Sequence, residues 1–281
     1  MSGRRTRIRA AQAPVMTIIL LYLLCGAVAG FLSGLIGIGG GLVVVPLLNM
    51  IFRLQGDIPQ EFIMHLAVGT SLSSILFTAI SSTRSHAKMG GVLWKYVLGL
   101  APAIVLGTIC STWLASRMST WGLRAFFVVF LVCIATQMLL DFYPHPRRTM
   151  PGKPVLAAAG FTIGGVSSLV GLGGGSMSVP FLRWCGVDMR QAVGTSAAIS
   201  WPIAIAGTLG FIVVGWSDPM LPPWSLGYVN IPATLGIACS SVFFAPLGAK
   251  LAHTLPVSVL RRFFAVFLYV TAGEMLWNLL H

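Results

Sequence analysis

Charged side chains are scarce in this chain: Asp, Glu, Lys and Arg together make up 9% of its 281 residues. Soluble domains carry about 25% charged residues, so this chain has too few of them to cover a folded surface with water-compatible groups. Apolar residues make up 56% of the chain, and its mean hydropathy is +0.89. These values exclude a soluble protein and predict an integral membrane protein.

Acidic residues are the scarcer charged class, with six Asp and Glu in the whole chain. So few carboxylates exclude a membrane enzyme whose metal is held by acidic ligands, and they do not favour a cation site. The net charge of +12 comes from 18 Lys and Arg at the ends of apolar segments or in short connectors. Cations at such positions contact lipid headgroups. The charge therefore predicts membrane lipids, and not nucleic acid, as the partner.

Recognisable catalytic and metal-binding motifs are also missing. The five Cys show no CxxC and no Cys/His ligand spacing, which predicts neither a disulfide framework nor a metal site. Ser176 follows a glycine, but no Gly-x-Ser-x-Gly motif is complete and no His has a mid-span position from which to act as its base. We therefore predict no enzymatic activity, no metal and no cofactor.

Internal duplication is the most informative feature that the chain does have. Residues 30–48 (GFLSGLIGIGGGLVVVPLL) and 164–182 (GGVSSLVGLGGGSMSVPFL) match at ten of 19 positions. Two further pairs follow in the same order: AVGTS at 67–71 and 192–196, and LRAFFVVFL at 123–131 with LRRFFAVFL at 260–268. The chain is therefore a duplicated unit of roughly 135 residues, as is common in transporters.

The apolar segments predict an all-α membrane protein with about eight transmembrane helices in two tandem repeats, since about 20 helical residues span a bilayer. A basic N-terminal stretch (1–14) precedes repeat 1 (15–142), and a linker rich in proline and cations (143–154) precedes repeat 2 (155–281). The predicted segments are 15–52, 62–83, 95–115 and 123–142, then 155–184, 190–215, 228–252 and 259–280.

Three consecutive glycines break the first segment of each repeat, and they leave two topologies open. If each broken segment crosses once, the chain makes eight crossings, and a cytoplasmic N-terminus places ten Lys and Arg inside and eight outside. If each break turns a hairpin, the halves are inverted, and the same N-terminus places seven inside and eleven outside. The positive-inside rule favours eight crossings with a cytoplasmic N-terminus.

The glycine triplets are the first candidate for a substrate site. Non-helical backbone at membrane depth persists only where protein or a water-filled cavity satisfies it, and a helix N-terminus facing such a cavity binds anions. Close packing of helices through small residues is the alternative explanation, but two triplets in register favour a site. The candidate residues are Gly39, Gly40, Gly41, Gly173, Gly174 and Gly175.

The hydroxyl residues of the two AVGTS motifs are the second candidate. Hydroxyls that face a cavity donate hydrogen bonds to an oxyanion without the cost of burying a cation. They also commonly bond back to carbonyls of their own helix, and the sequence does not decide between these roles. The candidates are Thr70, Ser71, Thr195 and Ser196, with Ser33 and Ser167 as weaker ones.

Glu274 and His65 are candidates for coupling transport to an ion. A carboxylate inside a membrane segment suggests function by default, and a histidine titrates near neutral pH. Glu274 lies seven residues before the C-terminus, so the alternative is a structural position at the membrane interface. His65 lies near a helix start, and the alternative is an interfacial or packed side chain with no part in transport.

Arg84, His86 and Lys88 end the second segment of repeat 1. They could attract anions to the mouth of a transport path, or they could simply set the topology.

Together these motifs resemble the TauE/SafE family of sulfite and organosulfonate exporters. The resemblance rests on the paired GxGGGxxxVP and AVGTS motifs, on the paired LRxFF starts, and on the series His86, Gly90, Trp94. It covers nearly the whole chain and implies a bacterial inner-membrane permease for small sulfur-containing anions. The chain departs from the family pattern in the loop 91–94 (GVLW), where an acidic residue is expected beside Trp94, and it therefore has one charge fewer there.

We therefore expect a secondary transporter for a small anion, such as sulfite or an organosulfonate, with its site at mid-membrane between the two glycine breaks. A passive anion channel and a non-transporting membrane subunit are the alternatives.

Overall fold

A computed structural model describes residues 15–36, 40–56, 58–140, 151–216, 218, 220–251 and 257–280, and most of them are helical. The five helices of the first half are α1 (Val15–Ile36), α2 (Gly41–Gln55), α3 (Ile63–Lys88), α4 (Trp94–Arg117) and α5 (Thr120–Leu140). The second half contains α6 (Lys153–Leu169), α7 (Gly175–Trp184), α8 (Met189–Gly215), α9 (Ile231–Leu251) and α10 (Val257–Leu280). A two-stranded ribbon, β1 (Ser225–Leu226) and β2 (Val229–Asn230), precedes α9.

Six of the described helices are long and apolar enough to cross a membrane: α1, α3, α4, α5, α8 and α9. Large apolar side chains such as Leu98, Val213 and Phe243 are more than 70% exposed on the outer surface. A soluble protein would not expose so much apolar surface, and lipid tails cover it at no cost. Of the six helices, α3 is the most buried.

Glycines at four-residue spacing let α1 lie directly against α9. A Cβ built on Gly26, Gly30 or Gly34 would come within 2.5 Å of a backbone oxygen of α9. The second half uses the same device, since a Cβ on Gly164 of α6 would lie 2.2 Å from the carbonyl oxygen of Ile104 in α4. Each half therefore packs its first helix on the fourth helix of the other half, through small residues as in other membrane bundles.

Helices α1, α3 and α9 run in the same direction. Along α1 and α9 the contacts advance together, from Gly26 beside Ile237 to Gly34 beside Ala245. The hydroxyl pairs that join α3 to α9 advance in the same sense: Ser73 with Thr234 at 2.6 Å and Thr78 with Ser241 at 2.8 Å. Because α1 and α3 are parallel, the chain must reverse between them.

Helix α2 carries the chain back towards the end of the molecule at which α1 begins. Its N-cap Gly40 lies beside Ala29 of α1, and the amide of Gln55 at its other end donates to the Tyr22 hydroxyl at 3.0 Å. The sequence-based preference for a single crossing by residues 15–52 does not match this path, because the chain turns back at the break. Charge counting could not reveal the turn, since it depends on contacts between distant residues.

The second half repeats this path in the opposite direction. Helices α6 and α8 both run parallel to α4. Along α6, Gly160 faces Leu100 and Gly164 faces Ile104. Along α8, Thr195 faces Leu93 and Gly210 faces Thr112. Helix α8 is antiparallel to α3, since Gly69 lies beside Phe211 and Leu72 beside Gly207. Corresponding helices of the two halves therefore point in opposite directions.

Helices α5 and α10 pack against each other in antiparallel fashion. Arg124 near the start of α5 contacts Asn278 near the end of α10, while Thr136 bonds to Tyr269 at 2.6 Å. We call the end of the molecule with the connector 89–93 the α3–α4 end, and that with residues 118–119 the α4–α5 end.

Candidate anion site at the helix breaks

The break in the second half leaves the N-terminus of α7 open. Helix α6 ends at Leu169, and α7 begins at Gly175 after Gly174, whose φ of 81° belongs to the left-handed region that glycine tolerates. No side chain caps α7. The first amide groups of a helix have no partner within it and carry the positive end of its dipole, so this terminus offers N–H donors.

The break in the first half has the same form and lies against the second. Gly40, with φ of 69°, precedes α2, which also has no side-chain cap; Gly39 lies outside the described residues. A Cβ built on Gly41 would lie 2.2 Å from the carbonyl oxygen of Gly171 and 2.9 Å from Leu172. The structure therefore brings Gly40 and Gly41 together with the second break, which also contains Gly173, Gly174 and Gly175.

Two buried hydroxyls at the second break have no hydrogen-bond partner. They belong to Ser167 in the last turn of α6 and Ser176 in the first turn of α7, which are 0% and 6% exposed. The Ser167 Oγ lies 3.5 Å from a Cβ built on Gly174, so it borders the left-handed turn. Since a buried unpaired polar group is costly, these two hydroxyls indicate a place for a polar ligand.

The two breaks differ in the side chains that surround them. Ser176 and Ser178 of the second half correspond to Leu42 and Val44 of the first. Ser178 Oγ donates to Ser196 Oγ at 2.9 Å, and Ser200 Oγ donates to the carbonyl of Gly173. The second break is therefore the more polar one.

The AVGTS motifs join the two halves. Thr70 Oγ1 accepts the backbone N–H of Asn230 at 2.9 Å, and Thr195 Oγ1 accepts that of Leu93 at 2.9 Å. A Cβ on the preceding Gly69 would lie 2.2 Å from the Tyr228 carbonyl oxygen. Each glycine–threonine pair thus holds the connector that leads into the fourth helix of the other half.

Ser71 links its motif to the breaks. Its Oγ donates to the carbonyl of Gly171 at 2.8 Å, between the halves. The hydrogen bonds of Ser71, Thr70 and Thr195 therefore join each side chain to a backbone group of the other half. Ser196 differs from them, because its Oγ accepts a hydrogen bond from Ser178 of α7, just after the second break.

The coupling candidates lie apart from the breaks, at the α4–α5 end. His65 is buried and bonds through Nε2 to the Ala115 carbonyl at 3.0 Å, with the Tyr228 ring 5.2 Å away. In the connector before α9, burial raises the pKa of Tyr228, and the nearby Asp218 carboxylate raises it further. Glu274 is exposed and accepts from Asn278 Nδ2 at 2.6 Å. The structure does not bring Glu274 and His65 into contact.

Sequence reasoning missed a buried arginine near Glu274. Arg124 Nη2 lies 3.4 Å from Asn49 Oδ1, and Arg124 is 7% exposed despite its charge. The duplicated LRxFF motif was the available signal, since it places Arg124 and Arg261 at equivalent positions. Among the described residues, no three His, Cys, Asp or Glu come close enough to hold a metal ion.

Comparison with known proteins gives the family. The model described as Sulfite exporter TauE/SafE matches residues 22–275. The chain belongs to the TauE/SafE family. Its relatives carry the general name of probable membrane transporter protein. One from Haemophilus influenzae is 41% identical over 93% of this chain and 99% of its own length. One from Methanocaldococcus jannaschii is 28% identical over 82% of this chain and 85% of its own length.

A third relative, YunE of Bacillus subtilis, is 26% identical over 94% of this chain and 98% of its own length, and it has the same general name. No solved structure matches the chain. Membership of the TauE/SafE family makes the chain a multi-pass membrane transporter, and this agrees with its apolar helices.

Proposed function

We propose that this TauE/SafE protein is a secondary transporter of the bacterial inner membrane that carries small sulfur-containing anions, such as sulfite or organosulfonates. Its substrate binds at mid-membrane between the two helix breaks. The observation that carries the proposal is the uncapped N-terminus of α7, which lies beside the buried and unpartnered hydroxyls of Ser167 and Ser176.

The architecture supports a transporter. We infer two inverted repeats, each with four long helices and one half-length helix: α2 has 15 residues and α7 has 10, whereas the other eight have 17 to 27. Inverted repeats with sites at discontinuous helices are typical of secondary transporters. In such proteins one repeat moves against the other, and the site opens to each side in turn.

The chemistry of the break supports an anion. Backbone N–H groups at a helix N-terminus and serine hydroxyls are hydrogen-bond donors, and oxyanions accept from both. A cation site would require carbonyl oxygens or carboxylates directed at the ion. Sulfite and sulfonate groups present three oxygens on a compact centre, which suits a short donor cluster of this kind.

Serine variants give a sharper test than glycine variants. A leucine at Gly174 would be strained at φ of 81° and would collide with Ile203, because even a Cβ there lies 2.4 Å from Ile203 Cδ1. Loss of transport in that variant would therefore report misfolding as readily as loss of a site. Removing an unpartnered hydroxyl leaves packing and existing hydrogen bonds intact.

The experiment measures uptake by proteoliposomes offered sulfite, sulfate, a sulfonate, acetate and chloride, with and without a proton gradient. We expect saturable uptake of sulfur oxyanions by the wild type. Ser167→Ala and Ser176→Ala should each raise KM about tenfold, which corresponds to one lost hydrogen bond to a charged ligand. Their thermal unfolding midpoints should not fall.

Ser116→Ala is the matched control, because the Ser116 hydroxyl is exposed and bonds within its own helix to the Trp113 carbonyl. Wild-type KM in both site variants would refute the site. Flux of every anion without saturation would indicate a channel and not a transporter. No flux of any anion would favour a non-transporting role.

A further inference from the structure

A groove of about 250 Å³ lies on the outer surface of the α3–α4 end, away from the helix breaks. One face of α3 forms most of it, with residues at helical spacing, and α9 closes one side. The lining residues are Phe77, Ile80, Ser81, Arg84, Ser85, Lys88 and Val242.

The groove changes character along its length. Phe77 and Val242 are 41% and 36% exposed, so its deeper part opens to the lipid tails. Arg84 and Lys88 are exposed in the last turns of α3, and the lining contains no carboxylate. Lys88 lies eleven positions after Phe77, which corresponds to about 16 Å of helix. The groove is thus apolar towards the membrane core and cationic towards the surface.

A hydrogen bond between α3 and α9 joins two residues that line the groove. Ser81 Oγ donates to the Val242 carbonyl at 2.9 Å. Along α3, Ser81 lies between Phe77 and Arg84, and its bond ties α3 to α9 beside the groove. The groove is therefore built into the packing of α3 on α9.

We propose that this groove binds one anionic phospholipid, with its phosphate on Arg84 and Lys88 and an acyl chain along Phe77 and Val242. Basic pockets between membrane helices bind anionic headgroups in this way. The two cations, the adjoining hydroxyl of Ser85 and the lipid-facing apolar end fit the two parts of such a lipid in the right order. A free anion would use the cations but not the apolar end.

Thermal unfolding in detergent with added lipid tests the proposal. Phosphatidylglycerol should raise the unfolding midpoint of the wild type by several degrees, and phosphatidylcholine should raise it much less. Arg84→Gln combined with Lys88→Gln should abolish the difference between the two lipids. Native mass spectrometry should show one retained phosphatidylglycerol on the wild type and none on this double variant.

Lys95→Gln combined with Arg190→Gln is the matched control. These cations are exposed at the same end of the molecule and outside the groove, so the loss of charge is equal. The control should keep the full response to phosphatidylglycerol. Equal loss of response in both double variants would overturn the groove as the site, as would no response in the wild type. Glycerophosphate has the phosphate but no acyl chains. If it stabilised the protein as much as phosphatidylglycerol does, the two cations would bind a free anion, and the proposal of a bound lipid would be wrong.

Discussion

At the scale of single residues, the threonines of the two AVGTS motifs have a role that their sequence alone did not indicate. Both oxygens accept a backbone N–H from a connector of the other half, and the bond to Thr70 is fully buried whereas that to Thr195 is half-buried. The motif that the sequence suggests as part of a substrate site thus also holds the two halves together.

Replacing these threonines by valine keeps their shape and removes the acceptor. A buried amide left without a partner costs about 1–3 kcal/mol, so Thr70→Val should lower the free energy of unfolding by that amount, and Thr195→Val by less. The measurement is the thermal unfolding midpoint in detergent. Thr162→Val is the control, because its exposed hydroxyl bonds only to Ala158 of its own helix. Unchanged midpoints in both variants would show that the connectors are held by packing alone.

At the scale of elements, the reversal between α1 and α2 decides the architecture. The glycines of the break permit a turn, and contacts along α1 fix its result: Gly40 lies beside Ala29 and Gln55 bonds to Tyr22. Helix α2 alone, with 15 residues and about 22 Å of length, would not span the bilayer core of about 30 Å.

Cross-linking tests this reversal directly. In a background without the five native cysteines, Tyr22→Cys and Gln55→Cys should be joined by a short bifunctional thiol reagent, because the two native side chains touch. Mass spectrometry of the digested protein identifies the linked peptides. The pair Tyr22→Cys and Met89→Cys should not be joined, since these positions lie at opposite ends of the molecule. If the Tyr22→Cys and Met89→Cys pair were joined and the Tyr22→Cys and Gln55→Cys pair were not, residues 15–52 would cross the membrane once.

At the scale of the whole molecule, the inverted path changes the expected orientation. Assigning each Lys and Arg to the helix end that it adjoins in sequence gives eleven at the α3–α4 end and seven at the α4–α5 end, out of 18. The positive-inside rule then favours a cytoplasmic α3–α4 end. Since α1 begins and α10 finishes at the α4–α5 end, both termini are then expected outside, contrary to the sequence-based expectation for the N-terminus.

Reporter fusions after His281 test this orientation. We expect a fused alkaline phosphatase to be active and a fused green fluorescent protein to be dark, because the first requires the periplasm and the second the cytoplasm. Immunoblots should show equal amounts of both fusions. A fluorescent and phosphatase-inactive pair would place the α4–α5 end in the cytoplasm and would show that the four arginines before α1 outweigh the total count.

The sequence by itself determined the membrane class, the six helices outside the two broken segments and the family. Long apolar runs have one stable form in lipid, which is why segments such as 95–115 and 190–215 agree with α4 and α8 to within two residues. The motifs that identified TauE/SafE are local strings and need no folding to be read. The last glycine of each triplet, Gly41 or Gly175, is the residue at which α2 or α7 begins.

The tertiary structure alone decided the direction of each helix and the partners of each hydroxyl. Whether the chain turns at Gly40 depends on contacts with Ala29 and on the parallel packing of α1 on α9, which no local string contains. The same holds for Ser167 and Ser176: their sequence shows two hydroxyls, and only the packing around them leaves both buried and without partners. Direction and burial are properties of contacts between distant residues, and those form only when the two halves assemble.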